Sequence, residues 1–119
     1  MFMATAILAL VLGGAFFMFG AGKLAGAKPM VEAQVHLGLP AGLFKMVGAL
    51  EVLGAIGVVV GLYKDLPLIG VLAAIGLVGM TIGAAFYHQK VGDAMKDWLP
   101  AVLMGSIAIV YIILRVATA

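Results

Sequence analysis

The chain is predicted to be an all-α integral membrane protein, a four-transmembrane-helix bundle with antiparallel neighbours in a single domain spanning residues 1–119. Composition is the first reason. Of 119 residues, 66% are hydrophobic and 10% charged, and mean hydropathy is +1.28; a soluble domain this short needs far more polar surface. The second reason is four apolar stretches, at about 2–22, 40–63, 66–88 and 98–115. At about 1.5 Å per residue, each can cross the roughly 30 Å of a bilayer's hydrocarbon core. Third, Tyr87 and Trp98 fall near one membrane surface and Tyr63 and Tyr111 near the other, as an aromatic belt requires.

The first span, Phe2 to Gly22, has no Lys or Arg ahead of it and is too long for a signal-peptide core, so it reads as a membrane helix. Phe16, Phe17, Met18 and Phe19 then give way to Gly20, Gly22 and Lys23 at the interface. The loop Leu24 to Leu39 is the longest, and Pro29 suits the first turn of a short helix lying on the membrane surface. The second span covers Pro40 to Tyr63. Lys64 and Asp65 make so short a turn that spans two and three must be antiparallel neighbours. Span three starts beside Pro67 and ends at His88; span four starts at Trp98, with Pro100 near its beginning, and ends at Arg115. Leaving aside Lys23 and Lys45, the side bearing loops one and three has Lys28, Lys90 and Lys96, against Lys64 and Arg115 opposite. The positive-inside rule then places loops one and three in the cytoplasm.

Several chemistries are excluded. The net charge of +2 comes from scattered helix-end residues and forms no basic stripe suited to nucleic acid. With no cysteines there is no disulfide or thiolate metal site, and two histidines on separate segments leave no metal centre or haem expected. No nucleophile–base pair or phosphate loop is visible, so no catalytic residue is assigned and catalysis by this chain alone is not expected. Gly54, Gly57 and Gly61 on span two, with Gly76, Gly79 and Gly83 on span three, are expected to let consecutive helices pack closely, or to mediate homo-oligomerisation.

The polar residues within the spans are few. Glu51 lies about eleven residues into span two, near the midplane, where a carboxylate costs several kcal/mol unless paired or wetted. Small neighbours such as Gly48, Gly54 and Ala55 imply that it faces another helix. Lys23, Lys45, Glu51, Thr81 and His88 all fall between the midplane and the loop-one side, and are expected to line one polar cavity. Whether Glu51 pairs with Lys23 or Lys45, or stands free as a protonatable ligand anchor, is open at this level.

The run Phe19-Gly20-Ala21-Gly22-Lys23-Leu24, then Gly38-Leu39-Pro40, Gly48-Ala49-Leu50-Glu51-Val52-Leu53-Gly54 and Gly83-Ala84-Ala85-Phe86-Tyr87-His88, resembles the DoxX-like family of small four-helix membrane proteins. Lys23, Glu51 and His88 match that pattern; Lys45 is added from charge and depth alone. The resemblance implies a bacterial cytoplasmic (inner) membrane protein, with links in some relatives to membrane oxidoreductases, including a thiosulfate:quinone oxidoreductase. The leading expectation is an accessory subunit with no intrinsic cofactor. Its polar pocket would take a quinone-like or lipid-like molecule, and its partners would be membrane lipids and a membrane oxidoreductase. The alternatives are a small proton-coupled transporter working through Glu51 and a purely structural packing subunit.

Overall fold

The computed structural model describes residues 1–119. It contains five helices and no strand: α1 (Phe2–Ala25), α2 (Lys28–Leu37), α3 (Ala41–Val60), α4 (Pro67–Lys90) and α5 (Met95–Ala117). All but α2 are long and apolar enough to cross a membrane, and the 41 Å long axis matches a bilayer with its head groups. Only 22–33% of each span's most apolar window is buried within the protein, so most of each helix faces lipid. The molecule is a multi-pass helical membrane bundle.

Local chemistry explains where each helix stops. Gly26 and Gly38 end α1 and α2 in the left-handed conformation, with φ of 70° and 71°, which costs glycine nothing. Pro29 sits in the first turn of α2 and Pro67 in that of α4, where a missing N–H is harmless. The short helix expected around Pro29 is therefore present. Helix α5 begins earlier than expected, at Met95, which places Pro100 inside it. One backbone hydrogen bond is thereby lost in its opening turns.

Around the bundle, α1 packs on α3, α3 on α4, α4 on α5 and α5 on α1, with every neighbour antiparallel. One close backbone approach joins α1 to α3. A Cβ placed on Gly48 would lie 2.7 Å from Cβ of Lys23 and 2.9 Å from the Gly20 carbonyl. That contact lies one turn before Glu51 and brings the two backbones nearly together, so it sets Lys23 against Glu51. On α3, Gly54, Gly57 and Gly61 pack on α4 as expected, but they meet Leu77, Ala73 and Gly70. Gly76, Gly79 and Gly83 have nothing within 4 Å of a Cβ added there. They lie on a different face of α4 from the buried stripe Gly70, Ala74, Leu77 and Thr81, whose spacing of three to four residues marks the packed side. Accordingly, Gly48→Ala should destabilise the protein by about 2 kcal/mol through overpacking. Gly79→Ala should be neutral or mildly stabilising. Denaturant unfolding in detergent micelles compares the two directly.

The bundle is solid at one end and hollow at the other. Ala9, Leu12 and Phe16 of α1, Ala55 and Val58 of α3, Ala74 and Leu77 of α4, and Ala108 and Tyr111 of α5 form the core. All of them lie in the half nearer the chain termini or close to the midplane. That end is closed by two polar side chains of α5. The Tyr111 hydroxyl donates to the Val58 carbonyl at 2.7 Å. Arg115, only 2% exposed, donates from Nε to the Gly61 carbonyl at 2.6 Å and from Nη2 to the Tyr63 carbonyl at 3.0 Å. Sequence reading placed Arg115 among the surface basic residues; it is turned inward toward the Gly61 and Tyr63 carbonyls, at the negative pole where α3 ends.

Candidate functional site

The hollow half holds Lys23, Glu51, Thr81 and His88. Lys23 Nζ donates to Glu51 Oε1 in an ion pair. The Glu51 side chain is 6% exposed and that of Lys23 14%, so the acid is sealed in while the base keeps a route toward the interface. The ammonium also lies 5.3 Å from the centre of the Phe44 ring, whose negative face favours a cation. Pairing cancels two charges that hydrocarbon would not tolerate singly. This answers the question left open by the sequence: the partner is Lys23. Lys45, six residues before Glu51, points about 120° away around α3; it is exposed and lines no cavity described here.

A cavity of about 590 Å³ adjoins the pair, between α1, α3, α4 and α5. Its polar lining is Lys23, Glu51, Thr81, His88 and Asp97, and the rest is mostly apolar. The Thr81 hydroxyl is partly committed, donating to the Val78 carbonyl at 2.7 Å. A second chamber of about 430 Å³ lies beneath α2, which contributes Met30, Ala33 and Leu37 to its wall. Lys23 and His88 border both chambers, so they stand at the junction. Volumes of this size suit a small amphipathic molecule.

At the loop-side rim, one carboxylate clamps two imidazoles. Asp93 accepts from His88 Nδ1 through Oδ2 at 2.6 Å and from His36 Nε2 through Oδ1, also at 2.6 Å. These two hydrogen bonds hold the Asp93 carboxyl below the usual carboxylate range. Its ionised form can only accept, so both facing ring nitrogens carry protons. The cluster ties α2, through His36, to the end of α4.

Four of the five candidate residues, Lys23, Glu51, Thr81 and His88, therefore meet around one cavity, and Lys45 does not. Asp97, one residue before the expected start of the fourth span, lies in the first turn of α5 and on the cavity wall. Asp93 and His36 had no local signal: they are 57 residues apart, and a single sequence does not report which loops meet.

An all-helical bundle with four apolar spans and a buried charged pair beside a largely apolar cavity defines a multi-pass integral membrane protein. The DoxX-like family model matches residues 7–111, and the chain belongs to that family. No curated protein and no solved structure matches it.

Proposed function

We propose that this DoxX-like protein is an accessory subunit of the bacterial cytoplasmic membrane that holds a quinone-like or lipid-like amphipath, in association with a membrane oxidoreductase. The observation that carries this reading is the position of the Lys23–Glu51 pair in the wall of a largely apolar cavity of about 590 Å³. The pair and His88 would anchor a polar head group, and the apolar walls would take the body. The packed apolar core on the termini side weighs against proton-coupled transport, since a transported species would need a second, matching route out.

Trp98 is the only tryptophan and lies at the start of α5, one residue beyond the cavity-lining Asp97. A short-tailed benzoquinone added to the protein in nanodiscs should quench its fluorescence saturably. The paired substitution of Lys23→Met with Glu51→Gln should weaken that quenching about tenfold, the loss of one charge-assisted anchor. Non-saturable quenching, identical in both proteins, would leave only the packing role. Co-isolation of redox-active membrane subunits with the tagged protein tests the association.

A further inference from the structure

The cluster at the rim has a polarity that matters to the cavity. His88 spends Nδ1 on Asp93, and its other ring nitrogen, Nε2, makes no hydrogen bond to the protein. The side chain borders both chambers. An acceptor-only carboxylate at Nδ1 fixes the neutral ring with its proton there, leaving the Nε2 lone pair free. The Asp93 oxygen not used by His88 is held by His36 from α2, so the carboxylate is fixed from two sides.

We propose that His88 is the acid–base group of the cavity, with Asp93 and His36 as positioning residues, and that the ligand taken here carries a head group able to gain or lose a proton. This rests on the ligand-site reading above and narrows it. The step balances simply. A ligand X–H bond breaks and the proton bonds to Nε2, giving an imidazolium whose charge Asp93 offsets through Nδ1–H; the ligand keeps the electron pair. Reversal returns the proton. The other charged groups lining the 590 Å³ cavity with His88 are Lys23 from α1, Glu51 from α3 and Asp97 from α5. The first two pair with each other, and Asp97 forms no ion pair.

The test uses the full chain in nanodiscs with histidine labelled by nitrogen-15. Without ligand, neutral His88 should show the Nδ1–H tautomer. Asp93→Asn should abolish that preference and Asp93→Glu should restore it. A purely structural clamp would not depend on tautomer, so Nε2–H as the dominant form, or no response to Asp93→Asn, overturns the proposal. The ligand arm compares a long-chain alkylphenol with its methyl ether. The phenol should shift the His88 nitrogen resonances and bind about tenfold tighter than the ether, and His88→Gln should erase the difference. If both enter and His88 stays silent, the ligand site stands and the acid–base role falls. If neither enters, the ligand-site reading itself falls, and this narrowing of it with it.

Discussion

Replacing Arg115 with alanine should lower the stability of the protein in detergent micelles by about 3 kcal/mol, at the scale of losing charged hydrogen bonds to buried acceptors. The guanidinium is nearly wholly buried, and its two bonds to the Gly61 and Tyr63 carbonyls close the end of α3. Without it the Gly61 carbonyl loses its donor, while the Tyr63 carbonyl keeps only the Leu66 N–H, at 3.1 Å. A third bond, from Nη1 to Thr118 Oγ1 at 3.3 Å, is longer and should matter less. Arg115→Lys keeps the charge but cannot reach two carbonyls with one planar fork, so it should recover only part of the loss. Tyr111→Phe removes a single neutral bond, to Val58, and should cost about 1 kcal/mol. Both side chains secure the same helix end, so the double substitution should cost less than the sum. Denaturant unfolding followed by far-ultraviolet circular dichroism reads all four variants. An Arg115→Ala protein no weaker than Tyr111→Phe would show that the end of α3 holds without the guanidinium.

What the sequence revealed and what it hid follow from how far each signal reaches along the chain. The spans were legible because apolar runs, Pro29 and Pro67 act locally. Glu51 was legible because a lone acid in hydrocarbon has few explanations. The choice of Lys23 over Lys45 was not, because it depends on the Gly20–Gly48 approach, in which each glycine is informative only beside the other. The position of Gly76, Gly79 and Gly83 away from the α3 contact has a related origin. In a glycine-rich span, small-residue spacing fits several faces equally well, and the correct face of α4 is set by Leu77 and Gly70 meeting α3. Arg115 deceived in another way. A basic residue at a helix end is ordinarily drawn to water, yet here the exposed carbonyls of α3 compete successfully for it.

The Lys23–Glu51 pair should behave as a unit. Lys23→Met leaves a carboxylate with 6% side-chain exposure and no partner, and should cost about 3 kcal/mol or more. Glu51→Gln should cost less, because a lysine with 14% side-chain exposure near the interface can turn its ammonium outward and retain its contact with Phe44. Combining the two removes both charges and should restore most of the stability, giving a coupling energy on the order of 2 kcal/mol in a double-mutant cycle. The measurement is unfolding of all four proteins in the same micelles. Additive losses would show that the two residues act separately and that the pair is incidental to folding. The cycle also separates structure from ligand binding, since the double variant keeps the apolar walls of both chambers and loses only the paired charges beside them. A protein that is folded and stable, yet no longer retains an amphipath, locates the function in those charges. One that binds as before assigns the pair to assembly alone, as the device that lets α1 and α3 enter the bilayer together with no net charge between them.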